Sequence, residues 1–310
     1  MELSLGPLQT YTDHHFRNAH ETVYGGVDKF YAPYLRMNTD GTIKAGPKVD
    51  ILPENNRVSI IPQVMCCSVE DFFILHNYIA DLGYTELNWN MGCPYPMVTN
   101  KGLGAGVLNK PEVLREWLEE IHPRLQLKLG IKMRMGMNST AEIFDLLPIL
   151  NDFPLTEIII HARYASQLYN GGCDVEQFRE VLLKTNHKVI YNGDISDPTE
   201  FNELRKTLLN TTSYMIGRGA VKNPAIFQEI KTGVLLDGNT YRIKLLEFSK
   251  LIEASCLRSN ANEGFALMRL KSYWEGFCEE LTEGKSLYRR LKKSDRLDEF
   301  WKITNQYLEI

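Results

Sequence analysis

The chain has 310 residues, 44% hydrophobic and 24% charged, with 22 Gly and 13 Pro; these ordinary globular proportions exclude long disorder, collagen-like repeats and a small disulfide-built fold. Its net charge of −4 argues against a protein that coats nucleic acid without selectivity. No stretch approaches the roughly 18 uninterrupted apolar residues of a membrane helix, and the amino terminus lacks a basic region followed by an apolar run, so a cytoplasmic protein is expected.

Short apolar or β-branched runs ending in polar or glycine residues recur at 3–8, 27–34, 58–65, 85–92, 127–136, 156–163, 188–195 and 213–220. Helical patterns fall between them, as at 69–83, 111–122 and 197–209. Eight such β/α alternations predict an α/β fold, a closed (β/α)8 TIM barrel rather than an open sheet. Residues 36–57 interrupt the second unit and are expected to form a loop beside the barrel mouth. After 238 the strand signal stops, and 242–257, 264–281 and 296–309 read as helices. Two domains follow, a catalytic barrel over 1–238 and an all-α helical domain over 239–310.

From residue 240 onward there are 13 Lys and Arg against 11 Asp and Glu, a net of +2, which leaves −6 for the first 239 residues. The basic charge is concentrated in KSLYRRLKK, which holds Lys285, Arg289, Arg290, Lys292 and Lys293. The six cysteines show no CxxC or Cys/His metal spacing, so free thiols and no metal site are expected.

In a (β/α)8 barrel the loops after the strands carry the chemistry, and phosphate commonly binds after strands seven and eight. Here those strands end in Asn192-Gly193-Asp194 and Gly217-Arg218-Gly219. Glycines let backbone N–H groups approach an anion and Arg218 adds a guanidinium fork, so the two loops are expected to form a phosphate cup. Lys132 and Arg134 alternate with methionines on strand five and therefore share its lumen face. A cation there calls for an electron-rich partner such as a flavin. His161 closes strand six at the same mouth. Asn90 ends strand four just before Cys93, whose thiol is mostly protonated at neutral pH and suits a general acid.

Taken together, LGPLQTYTDHHFR, ELNWNMGCP, KMRMG, HARYASQLYNGG, YNGDI and MIGRGAVKNPAIF resemble, in order and spacing, the successive signatures of the tRNA dihydrouridine synthase family. The resemblance implies a flavin-dependent oxidoreductase that binds FMN in the barrel, takes electrons from NADPH and reduces selected uridines of tRNA to 5,6-dihydrouridine. It implies Cys93 as proton donor, Asn90 between flavin and substrate, and Arg134 and Arg163 near substrate or flavin. Pro7, Leu8, Gln63, Lys132, His161, Asn192, Gly193, Asp194, Gly217 and Arg218 would hold FMN. The chain departs from the family pattern at Leu8, Tyr11, Cys66 and Tyr164, which bears on the shape of the flavin pocket. Partners expected are tRNA, with Lys285, Arg289, Arg290, Lys292 and Lys293 as candidates for contact with its backbone, and NADPH, with no membrane and the chain a monomer. Two alternatives stand beside this: an FMN-dependent reductase of a small enone or dihydroorotate-like molecule, and a non-catalytic RNA-binding protein.

Overall fold

A computed structural model describes residues 1–259 and 262–308. Its strands are β1 (Glu2–Leu5), β2 (Lys29–Tyr31), β3 (Ile60–Ile61), β4 (Gln63–Val64), β5 (Glu86–Met91), β6 (Lys128–Gly136), β7 (Ile158–Tyr164), β8 (Val189–Asn192) and β9 (Ser213–Ile216). All pairings are parallel, in the order β3-β2-β1-β9-β8-β7-β6-β5-β4. The single strand predicted over 58–65 is thus two short pieces. Pro62, which has no N–H for the ladder, divides them. β3 pairs with β2 and β4 with β5, while the Pro62 carbonyl accepts from Asn88 N at 2.9 Å. Eight staves therefore close into a barrel, as predicted.

The helices on the barrel are α1 (His14–Val23), α2 (Ala45–Asp50), α3 (Val69–Asp81), α4 (Pro96–Thr99), α5 (Pro111–Ile121), α6 (Ile143–Asn151), α7 (Val175–Leu182), α8 (Pro198–Thr207), α9 (Arg218–Lys222) and α10 (Ile226–Thr232). Side chains of Asp13, Ser68, Asp174 and Asp197 cap α1, α3, α7 and α8, satisfying first-turn N–H groups and fixing where each helix starts. The strand predicted over 213–220 stops at Ile216 because Gly217 turns the chain into α9. A helical region follows, with α11 (Gly238–Arg258), α12 (Glu263–Glu280), α13 (Gly284–Lys293) and α14 (Leu297–Leu308). Residues 309 and 310, the end of the last predicted helix and domain, lie outside the described residues.

Alternation along the strands layers the barrel interior. Glu157 at one end binds Lys29 and the Tyr31 hydroxyl. Ile159, Ile190 and Met215 form an apolar plug above it with Tyr31. Two residues further along β7 and β8 stand His161 and Asn192, with Lys132 of β6 in register with Ile159, so the polar mouth opens over a closed floor.

Residues 36–57 are more ordered than a loop. They carry α2 and the 3-10 turn Pro53–Asn55, because Asp50 at the end of α2 meets Arg17 of α1. Arg17 is fully buried; Nη1 donates to Thr12 O and Asp50 Oδ2, and Nη2 to Asp50 O and Asn56 Oδ1. Burial acts to raise the Asp50 pKa, yet Arg17 and the His14 hydrogen bond outweigh it and hold the group below the usual carboxylate value. The contribution to stability is therefore complete above about pH 4, the unfolded value, and is lost as pH falls through the lower folded value. Asp50→Ala leaves a buried cation uncompensated and should cost about 3–5 kcal/mol in urea unfolding at pH 7; a loss under about 1 kcal/mol would show that Thr12 and Asn56 suffice.

Candidate active site

At the carboxyl ends of the strands lies a cavity of about 280 Å³ whose lining includes Pro7, Leu8, Lys132, His161, Tyr169, Asn192, Gly193, Asp194, Gly217, Arg218 and Lys222. Nine of the residues singled out in the sequence meet here. The 193–196 and 217–219 loops touch, since a Cβ on Gly219 would lie 2.1 Å from the Ile195 carbonyl. Only glycine permits that approach. No side chain caps α9, so the N–H groups of Arg218 and Gly219 lack a helical partner beside the cavity, a place that favours an anion.

Electrostatics give each group a state. Burial, then Arg134, lowers the Lys132 pKa from 10.5 to about 8, and its ammonium has no hydrogen-bond partner among the described residues. Burial and the surrounding Lys132, Arg134, Arg163 and Arg218 hold the His161 pKa well below the ordinary value, so its ring is neutral at pH 7. Burial opposes ionisation of Asp194, but the Arg163 hydrogen bond wins and the carboxyl stays charged.

Gln63, Asn90, Cys93, Arg134 and Arg163 do not line the cavity. They build its surroundings. Gln63 is fully buried, with Nε2 donating to Asn88 Oδ1 and Oε1 accepting from Asn90 Nδ2. Asn90 Oδ1 in turn accepts from the backbone N–H groups of Gly92 and Cys93, at 3.0 and 3.1 Å. One amide chain from β4 through β5 thus sets the Cys93 loop. Arg163, expected near substrate or flavin, is spent instead as a clamp. It donates to both Asp194 oxygens at 2.6 Å and to the Gly171 carbonyl. Arg134 Nη1 donates to Tyr164 O and Leu168 O, at 2.9 and 2.6 Å.

Those bonds hold a strained loop. Leu168 has φ of 54°, costly for a branched side chain, and delivers the next residue, Tyr169, to the cavity. The Tyr169 ring lies 4.1 Å from the Arg218 guanidinium and 5.3 Å from that of Arg134, both cation–π contacts. Nothing in the sequence marks Tyr169, within HARYASQLYNGG, for this place: an aromatic five residues past a strand end carries no periodic signal. Of the departures from the family pattern, Leu8 lines the cavity, whereas Tyr11, Cys66 and Tyr164 do not.

The family profile described as dihydrouridine synthase (Dus) matches residues 4–305. The chain belongs to the dihydrouridine synthase family. Among curated members of that family, tRNA-dihydrouridine synthase B of Escherichia coli K12 is 32% identical over 120 residues, 38% of this chain and 37% of that protein. The tRNA-dihydrouridine(16) synthase of Shigella flexneri is 28% identical over 121 residues, 38% of each chain. These alignments span less than half the length of the relatives. Among solved structures, morphinone reductase in complex with tetrahydroNAD has a TM-score of 0.51 at 12% identity, over 77% of this chain and 90% of that one. That likeness shows the barrel fold alone.

In this chain the Cys93 thiol is half-buried, and burial raises its pKa despite Arg134, Arg36 and Lys132 nearby. The thiol therefore holds its proton at neutral pH. The pH–rate profile for alkylation of the Cys93 peptide by iodoacetamide, followed by mass spectrometry, should have its midpoint above about pH 8.5, the ordinary thiol value. A midpoint at or below that pH would show that burial does not raise the group.

Proposed function

We propose that this chain reduces selected uridines of tRNA to 5,6-dihydrouridine, with FMN held in the cavity and NADPH as the electron source. The observation that carries the proposal is the conjunction, at one barrel mouth, of the 193–194 and 217–219 cup, a Lys132 ammonium without a partner among the described residues and a protonated Cys93 thiol. The donor set fits the cofactor. Arg218 with the cup N–H groups suits a phosphate, Lys132 and neutral His161 suit polar edges of the ring system, and Pro7 and Leu8 supply an apolar wall. Bound there, the flavin supplies a hydride for C6 of uracil.

The chain supplies the rest. Cys93 gives its proton to C5, so the C5=C6 bond gains one hydride and one proton and the electrons balance. Asn90 positions the Cys93 loop through its two backbone hydrogen bonds. Arg134 and Tyr169 flank the mouth, where an extruded base must enter at a cost of a few kcal/mol for unstacking. Arg163 acts through Asp194 rather than on the substrate. In this division of labour residues 1–238 carry catalysis and 239–310 bind tRNA, in the cytoplasm.

Support for a macromolecular substrate comes from α13. Leu287 and Leu291 are buried, while Lys285, Arg289, Arg290, Lys292 and Lys293 are exposed, and Arg290 reaches Gln306 at 3.1 Å. Lys285, Arg289, Lys292 and Lys293 share one helix face, presenting four positive charges to solvent. Phosphodiester contacts there would offset the cost of base extrusion.

Two measurements test the proposal. Cys93→Ala should bind flavin and accept electrons from NADPH, while tRNA turnover slows by about 10²- to 10⁴-fold, as for loss of a general acid; undiminished turnover would assign the proton to another group. Arg289→Ala with Lys293→Ala should weaken tRNA binding and flatten its log–log salt dependence by about 0.7–0.9 per lost phosphate contact, leaving flavin content unchanged. Wild-type affinity and slope in that double variant would move the RNA contact away from α13.

A further inference from the structure

Lys222 ends α9, one turn beyond Arg218, and both line the cavity. Residues four apart share a helix face. Each cation rests on a carboxylate outside its own helix: Arg218 Nη2 lies 3.3 Å from Asp194 Oδ1, and Lys222 Nζ lies 2.6 Å from Glu279 Oε2. Glu279 belongs to α12, which presses against α9 so closely that a Cβ on Gly276 would lie 2.8 Å from the Val221 carbonyl. The helical region therefore reaches the rim of the cup.

Charge and exposure decide what Lys222 does there. Asp194 is shared between Arg163 and Arg218, so it compensates neither cation fully. Glu279 is exposed, and an ion pair at the surface is worth only about 0–1 kcal/mol. Lys222 can thus serve a second anion at little cost. A phosphate monoester carries about −1.5 to −2 charge at pH 7, more than one partly compensated guanidinium neutralises.

We propose that Lys222 is a second cation for the terminal phosphate of FMN, acting beside Arg218, and that it makes the site prefer the phosphorylated flavin over riboflavin. The proposal rests on the assignment of FMN to this cavity. An RNA phosphodiester could supply the same chemistry from outside, but it carries one charge rather than two, and Lys222 lines the concave site shared with the cup rather than the α13 face.

The test compares FMN and riboflavin binding to the full chain freed of bound flavin, by quenching of flavin fluorescence, for wild type, Lys222→Met and Lys222→Arg. Lys222→Met should weaken FMN about tenfold at pH 7.5, the size of one charge-assisted hydrogen bond, and leave riboflavin within about twofold. Lys222→Arg should restore most of the loss. The effect should shrink at pH 5.5, where the phosphate loses its second charge, the second pKa being about 6. Should Lys222→Met fail to fold by circular dichroism, Lys222→Gln is measured in its place against the same expectations. Equal weakening of both flavins, or unchanged FMN binding, overturns the role of Lys222 while FMN stays in the cavity. A separate tRNA titration in which Lys222→Met weakens tRNA binding while FMN binding is unchanged overturns it in favour of the RNA backbone. Wild-type protein that binds neither flavin overturns the FMN assignment itself, and this proposal with it.

Discussion

Positive charges crowded into the mouth of a barrel must find counter-charge or shed protons, and that constraint organises this structure. Arg134 and Arg163 cannot shed theirs. Arg134 takes the carbonyls of Tyr164 and Leu168, and Arg163 takes Asp194 and Gly171, so the two arginines fix the loops after β7 and β8. Lys132 can give up its proton, and its pKa falls to about 8 instead. What remains at the cavity is a cation without a partner among the described residues. Asp194 shows the same economy from the other side, since it holds φ of 38° to stand between Arg163 and Arg218.

The fold was largely legible because barrel strands buried on both faces read as short apolar runs at a regular spacing. Pro62 was visible but its effect was not: a proline in a strand signals a missing donor, and only pairing partners reveal that the two halves serve different neighbours. Residues 36–57 read as a loop because what orders them is the long-range pair Arg17–Asp50, which leaves no local pattern. At the site, glycine-rich strand ends and alternating cations gave most of the cavity lining. Distinguishing lining from support was beyond sequence. Gln63, Asn90 and Arg163 stand at strand ends like the lining residues, yet their hydrogen bonds turn them to holding loops.

Attachment of the helical region follows from a few shared groups. Asp13 caps α1 through Phe16 N and also accepts from the Tyr273 hydroxyl and from Arg269, both on α12. His15 Nδ1 meets Ser255 Oγ of α11 at 2.8 Å, and Phe16 packs edge-on against Phe248. Gly6, Pro7 and Leu8, a few residues before Asp13, form one wall of the cavity. Thr12 Oγ1 accepts from Leu8 N and donates to the Gly6 carbonyl, while Gly6 N donates to Ile216 O.

The wall carrying Pro7 and Leu8 is therefore anchored at one end to β9 and at the other, through Asp13, to α12. On the opposite side α12 presses on α9, which carries Arg218. One helix of the carboxyl-terminal region thus backs two walls of the same cavity. A displacement of α12 has to be absorbed either by the part-buried Asp13 with the buried Arg269 and Tyr273 or by the α9 contact, and close-packed interiors yield little at either place. The helical region is consequently a structural part of the cavity as well as the bearer of the basic face of α13. The partly buried Tyr288 of α13 belongs to the same packed core as Tyr11, so the path from the cup to the exposed cations runs through packed side chains rather than through a linker.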